Sequence, residues 1–372
     1  MAVKFRVERD VFADTVAWAA RTLPTRPPVP VLAGLLLDVR GHSLTVSSFD
    51  YEVSAQVTVD IAASESGRAL VSGRLLAEIV RSLPAQPVEI STDGARLAIT
   101  CGSARFALPT LPVEDYPSLP EMPAVTGAVG SDAFAAAVAQ VAIAAGRDDT
   151  LPALTGVRVE IEDDIVTLAA TDRYRLAVRE LKWTPAAGGL SAAALVPART
   201  LADTAKSLTG GAEVTIALAT GGTGEGMVGF EGGGRRTTTR LLDGEFPKYR
   251  SLIPADSAAL ALIQTSAFVE SVKRVALVAP RNAPVRLSFG GGELLLEAGG
   301  GDDAHASESI DATYEGEEMT IAFNPTYLHD GLQALDSDVA RLAFTTPTKP
   351  AVLTGKDGGD YRYLLMPVRL SG

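Results

Sequence analysis

The sequence predicts an α+β protein built from three repeated domains, each with two helices packed on largely antiparallel sheet. Three observations carry this. A Phe-led helix pattern occurs three times, a second helix pattern recurs downstream of each, and alternating strand segments fill matching slots between them. Two proline-rich stretches part the copies and place the domains at 1–123, 124–255 and 256–372.

Each copy opens with a helix. Phe12, Phe134 and Phe268 lie 122 and 134 positions apart. Each follows polar residues of the capping type and leads into apolar positions at helical spacing, ending near Leu23, Ala145 and Leu277. The second helix spans Val71 to Leu83, then Val196 to Leu208, with Phe323 to Leu335 in the third copy's place. Ser72 is the expected cap of the first, and Pro197 and Pro325 suit first-turn positions, where no amide donor is missed.

Strands lie between the helices. Val53 to Ile61 alternates polar and apolar residues, as a half-buried strand does. Leu35–Val39, Gly156–Ile161 and Pro284–Phe289 fill one slot, and Leu44–Phe49, Ile165–Ala170 and Glu293–Ala298 fill the next. The clustered prolines of Arg105 to Pro120 and of Arg240 to Pro254 disfavour helix and central-strand pairing, so both stretches read as linkers.

Composition narrows the function. The 372 residues are 47% apolar and 21% charged, enough for sizeable cores. Net charge is −12, from 33 basic and 45 acidic residues, which argues against coating nucleic acid through bulk positive charge. Cys101 stands alone, and His42, His305 and His329 are its only imidazole companions, so neither an intrachain disulfide nor a zinc cluster is expected. The first residues are charged from Lys4 onward, and the apolar run Ala133 to Ala145 is too short to span a bilayer. A cytoplasmic protein with no membrane segment and no cofactor is the expectation.

Catalytic patterns are weak. Gly224, Gly226 and Gly229 satisfy G-x-G-x-x-G, but Phe230-Glu231-Gly232 and further glycines follow instead of an amphipathic helix. Asp148-Asp149, Asp163-Asp164 and Asp302-Asp303 sit beside turn signals with no third ligand. The chain does not read as an enzyme, although a metal-dependent hydrolase using Asp163-Asp164 stays open as an alternative. Basic residues repeat at a spacing of seven in Arg74/Arg81, Arg199/Lys206 and Arg274/Arg281. Seven residues return to the same helix face about 10 Å further along. Such faces fit either sparse phosphate contacts or ordinary solvated surface.

Four segments carry a family resemblance. They are Ala170-Thr-Asp-Arg-Tyr-Arg-Leu-Ala-Val178, Phe246-Pro-Lys-Tyr-Arg250, Phe323-Asn-Pro325 and Leu364-Leu-Met-Pro-Val-Arg-Leu370. Together they resemble the bacterial DNA polymerase III beta subunits, the sliding clamps, and most of all those of high-GC Gram-positive bacteria. The resemblance implies a head-to-tail homodimeric ring of pseudo-sixfold symmetry. Such a ring encircles double-stranded DNA and tethers the replicative polymerase, the clamp loader and other proteins that carry clamp-binding motifs.

By this resemblance Arg26, Arg74, Arg81, Arg147, Arg199 and Lys206 face DNA. Partner peptides dock with Leu and Phe anchors on Leu154, Thr171, Arg173, Tyr174, Arg175, Leu176, Pro247, Leu252, Leu364, Met366, Pro367, Val368 and Arg369. Apolar side chains form the floor there, and Arg and Thr supply polar contacts at the rim. A cyclic-peptide antibiotic could take the same pocket. Dimer contacts pair Phe106 and Leu108, on the Arg105 edge, with Leu277 and Val278 of the partner, and Asp302, Asp303 and Glu308 lie near that seam. Three features depart from the family pattern: Arg173-Tyr174 where many clamps have Gly-His, Ser251 where some have Arg, and the Ser371-Gly372 extension. They leave two alternatives, a second, antibiotic-insensitive clamp or a peptide-binding scaffold without DNA tethering.

Overall fold

The computed structural model describes residues 3–219, 226–280, 283–300 and 304–369. The chain forms two compact units. One comprises Met1–Asp132, Thr184–Ala187 and Asp203–Leu241, and the other Ala133–Trp183, Gly188–Ala202 and Leu242–Gly372. Arg281, Asp302, Asp303, Gly224, Leu370 and the Ser371-Gly372 extension lie outside the described residues.

Six α-helices are described: α1 (Arg9–Ala19), α2 (Gly73–Ser82), α3 (Ser131–Ala142), α4 (Ala198–Ser207), α5 (Thr265–Val275) and α6 (Pro325–Gln333). They are the helices the repeats predict, each trimmed by a few residues. The reason each forms is its apolar stripe: α1 buries Phe12, Val16 and Ala19, and α5 buries Phe268, Val272 and Val275. The capping expectation needs correction. Ser72 makes no side-chain cap bond, and neither do Glu8 or Gln264 before α1 and α5. Ser72 and Gln264 are each the last residue of a strand, so the sheet ladder sets their backbone before the helix begins. A side-chain cap does form at Asn324, whose Oδ1 accepts from the amides of Thr326 at 2.9 Å and Tyr327 at 3.2 Å, with Pro325 in the first turn. Pro197 instead ends the strand Ser191–Pro197, and α4 starts one residue later.

Among the described residues, fourteen strands of the first unit form one hydrogen-bonded series, and twelve of the second do. The same arrangement recurs in both. Gly34–Arg40, Ser43–Phe49 and Val53–Asp60 form an antiparallel meander that ends against Arg235–Arg240. Gly156–Glu162, Ile165–Thr171 and Arg175–Lys182 form another that ends against Gly358–Leu365. Registers match too, with Val53 opposite Thr239 and Arg175 opposite Leu365. Alternation drives these strands, and their buried positions contribute to two hydrophobic clusters. Val31, Leu32, Leu36, Phe49, Leu70 and Tyr116 form one and Ala169, Leu176, Val178, Tyr249 and Leu364 the other.

One linker reading is overturned in part. Ala104–Leu111 is a strand, paired with Arg96–Cys101 through Pro109 opposite Arg96. That is the terminal pair of its ladder, where a missing amide costs least. The chain after Leu111 is irregular apart from a short turn at Val113–Asp115. The second stretch, Arg240 to Pro254, is a strap with one 3-10 turn at Tyr249–Leu252.

Candidate functional site

The second unit holds a groove of about 540 Å³ built around the turn that links strands Ile165–Thr171 and Arg175–Lys182. Asp172 shapes that turn. Its Oδ1 accepts from the amides of Tyr174 and Arg175, both at 3.0 Å, and Arg173 takes the left-handed conformation at φ 79°. A non-glycine residue there is strained, and the strain projects Arg173 and Tyr174 outward, both exposed. The Tyr174 carbonyl accepts from the amide of Met366 at 2.9 Å, so the end of strand Gly358–Leu365 is fastened beside the same turn.

Arg147, Leu151, Leu154, Arg173, Tyr174 and Tyr327 line the groove. Tyr174 stacks on Tyr327 with ring centroids 6.4 Å apart. The Asp148 carboxyl is held below its usual range by the hydroxyl and amide of Thr150, and further by Arg173.

Beneath this surface Arg175 is buried and bonded through two of its nitrogens. Its Nε donates to Asp172 Oδ2 at 3.0 Å, its Nη1 to Asp330 Oδ2 at 2.6 Å and to the Tyr363 hydroxyl at 3.3 Å. Its guanidinium also sits 4.3 Å from the centre of the Tyr327 ring. Burial alone would weaken its hold on the proton, but Tyr363, Asp330 and Asp172 more than offset that and push its pKa up. The Tyr363 hydroxyl in turn donates to the Tyr327 carbonyl at 2.9 Å.

Of the residues expected to bind peptides, the structure brings Leu154, Arg173, Tyr174 and Arg175 into the groove lining. Leu176 and Leu364 adjoin it in the buried cluster, with Phe246, Ile253 and Val352 packed against them. Leu252 on the strap is 51% exposed and Met366 44% exposed, while Pro247, Pro367 and Val368 are half-buried and Arg369 is exposed. The rim assignment of Thr171 and Arg175 is corrected. Thr171 is buried and its hydroxyl donates to the Arg175 carbonyl at 2.7 Å, so both side chains spend their polarity inside the protein.

The sequence reading missed Leu151, Tyr327 and Asp330. Tyr327 lies in the first turn of α6, two residues after the Phe323-Asn324-Pro325 motif, and that position was the available signal.

Among the basic residues, Arg26, Arg74, Arg81, Arg147, Arg199 and Lys206 are all exposed. Arg74 and Arg81 lie on α2, Arg199 and Lys206 on α4, and Arg147 on the groove. Arg74 Nη2 also donates to the Pro24 carbonyl at 3.1 Å. Arg274 is not available in the same way. It forks onto Glu308 at 2.6 and 3.0 Å, and that bond holds the Glu308 carboxyl below its usual range.

Of the expected dimer contacts, Phe106 is 37% exposed and Leu277 82% exposed, and Val278 is half-buried. Leu108 is buried within the first unit opposite Leu97, so it is a core residue of the protomer. Among the described residues no three His, Cys, Asp or Glu side chains gather to hold a metal, and no helix is long and apolar enough to cross a membrane.

Comparison with known proteins accounts for both units. Residues 3–120 match the N-terminal domain of the DNA polymerase III beta subunit, 128–248 its central domain and 250–369 its C-terminal domain. The chain is 63% identical to a beta sliding clamp of Streptomyces coelicolor, with the whole of both chains covered. It is 46% identical to the beta sliding clamp homolog GriR of Streptomyces muensis, with 99% of each covered. A Pseudomonas aeruginosa sliding clamp bound to griselimycin superposes over the full length of both chains with a TM-score of 0.92 at 27% identity. A Bacillus subtilis clamp does so with a TM-score of 0.93 at 26% identity. Three domain matches in family order, a full-length relative above half identity and the repeated sheet arrangement agree: the chain belongs to the DNA polymerase III beta subunit family.

Proposed function

We propose that the chain acts as a DNA sliding clamp, a non-catalytic processivity factor that tethers its partners to duplex DNA. The observation that carries this reading is the full-length match of all three domains, in order, to the family. Its domains are 1–123, 124–255 and 256–372, and two protomers join head to tail into a cytoplasmic ring of pseudo-sixfold symmetry. Arg26, Arg74, Arg81, Arg147, Arg199 and Lys206 supply sparse contacts to the DNA phosphates. Sparse contact suits sliding, because each phosphate held firmly adds to the barrier for leaving it. The net charge of −12 keeps the rest of the surface from adding to that grip.

The groove beside Tyr174, together with the strap residues Pro247 and Leu252 and the segment Met366 to Arg369, receives the linear motifs of the polymerase, clamp loader and other partners. Its chemistry supports this. Leu154, Leu252 and Met366 offer apolar surface for Leu and Phe anchors, and Arg173 and Tyr174 stand exposed as polar contacts. A cyclic peptide such as griselimycin is a candidate occupant of the same surface. The reading as a second, antibiotic-insensitive copy is the weaker one, since identity is higher to the Streptomyces coelicolor clamp than to the GriR homolog.

The test is titration of a fluorescent clamp-binding pentapeptide against the wild-type chain and a Met366→Asp variant. Saturable binding that the variant loses supports the reading. Absence of binding to the wild type would remove the peptide-docking role.

A further inference from the structure

The strap that carries Pro247 and Leu252 is fastened to the sheet through one carboxylate. Glu160, on strand Gly156–Glu162, has a side chain only 14% exposed. It accepts from the Tyr249 hydroxyl at 2.9 Å and from Arg250 Nη1 at 2.7 Å, both on the strap. A third donor, Arg158 Nε at 3.3 Å, lies two residues earlier on the same face of the strand. The Tyr249 ring is buried edge-on to Phe246, within the cluster that holds Leu176 and Leu364. Burial, and then the bond to Glu160, push the Tyr249 phenol up, so it remains a donor throughout the physiological range.

The internal repeat supplies a control within the same chain. Tyr116-Pro-Ser-Leu119 matches Tyr249-Arg-Ser-Leu252 in sequence, and Tyr116 is buried to a similar degree among different strand positions. No side chain bonds its hydroxyl, which faces the Phe49 backbone amide instead. The residue in the Glu160 position of that copy is Asp38, one methylene shorter and already engaged by Arg40 at 2.8 and 3.2 Å. Both tyrosines are buried, but only Tyr249 is latched to a carboxylate. The latch is present in the copy whose strap carries the exposed Leu252.

We propose that Glu160 is a positioning residue for partner-peptide binding. Through Tyr249 and Arg250 it holds the strap so that Leu252 stands ready as one wall, and the peptide does not have to order that wall on arrival. The proposal rests on the peptide-docking reading above. Pre-organisation of this kind raises affinity by cutting the ordering cost and adds no contact of its own.

The experiment is a double-mutant cycle on the full-length chain, read by titration of the same fluorescent pentapeptide. Wild type, Glu160→Ala, Leu252→Ala and the double variant are compared, with Glu160→Gln as the conservative change and thermal unfolding recorded for each. Glu160→Ala weakens binding about 5- to 10-fold, Glu160→Gln recovers most of it, and the double variant is little weaker than the weaker single one. Two results would overturn the proposal while leaving the groove intact: Glu160→Gln and Glu160→Ala both binding within twofold of a wild type that binds, or strictly additive losses. A wild type that does not bind overturns the docking reading and this proposal together. Should Glu160→Ala unfold, Tyr249→Phe takes its place in the cycle with Leu252→Ala, because it removes one bond of the latch and leaves the rest.

Discussion

Arg175 Nη1 donates to Asp330 Oδ2 at 2.6 Å, an ion pair between residues 155 positions apart in the chain. It ties the Asp172–Tyr174 turn to α6, and the face of the same guanidinium supports the Tyr327 ring. The groove therefore stands on a buried charge held by Asp172, Asp330 and Tyr363. Replacing Arg175 with Met strands Asp172, whose side chain is only 14% exposed, and should cost about 3–5 kcal/mol. The denaturant midpoint of the variant measures it, and a shift near zero would mean that the carboxylates find water.

The two matched tyrosines should respond in opposite senses. Tyr249→Phe removes a satisfied bond to a carboxylate and should lose about 1–2 kcal/mol of stability. Tyr116→Phe removes a buried hydroxyl that no side chain bonds and should be neutral or slightly stabilising. Urea unfolding of both variants at neutral pH makes the comparison.

Alkaline stability follows from the same group. Burial pushes the Tyr116 phenol up from 10.0 to about 12, partly countered by the Phe49 amide. Its folded value lies above its unfolded value, so its share of stability is intact below pH 10. That share falls between pH 10 and about 12, where the unfolded chain gives up the proton and the folded one keeps it. Tyr116→Phe should flatten the decline of stability across that window, as read by unfolding at a series of pH values.

Gly331 in α6 faces Tyr363, and a Cβ there would meet the ring at Cδ1 and Cε1. Tyr363 is fully buried and hydrogen-bonded to both Arg175 and the Tyr327 carbonyl, so it has little freedom to yield. Gly331→Ala should therefore destabilise by about 1–3 kcal/mol, despite the better helix propensity of alanine. Thermal unfolding tests the sign.

Assembly is probed at Phe106, which is exposed on the strand Ala104–Leu111. The proposed ring predicts a solution mass of twice 38.7 kDa. Phe106→Asp should reduce it to the protomer mass, as followed by sedimentation at low micromolar concentration. A variant that stays dimeric would place the interface elsewhere.

Much of this architecture was legible in the sequence because it repeats. The helices led by Phe12, Phe134 and Phe268 and the strand pairs between them follow from periodicity alone. The strand Ala104–Leu111 was hidden by its prolines, because a single sequence does not reveal which residue ends a ladder. At the groove, Arg173 and Tyr174 were found from a local motif, as was Arg175, whose burial was not. A residue's partners 155 positions away are set by tertiary packing, so Arg175 read as a rim contact when it is a buried support. Tyr327 was missed for the same reason. The latch on Glu160 has no local signature either, since the two donors that make it, Tyr249 and Arg250, come from a strap some ninety residues on.

The ladder between Arg175–Lys182 and Gly358–Leu365 also dictates when the protein can finish folding. Arg175 and Tyr363 are 188 positions apart, and in the first unit Ser54 and Thr238 are 184 apart. On a ribosome adding roughly 5–20 residues per second, each meander waits on the order of 10–40 s with its last strand open along one edge. An open edge is a template for pairing with another chain. The span of exposure is thus written into the order of the strands, and slowed translation of the last third would lengthen it for the Arg175–Lys182 edge.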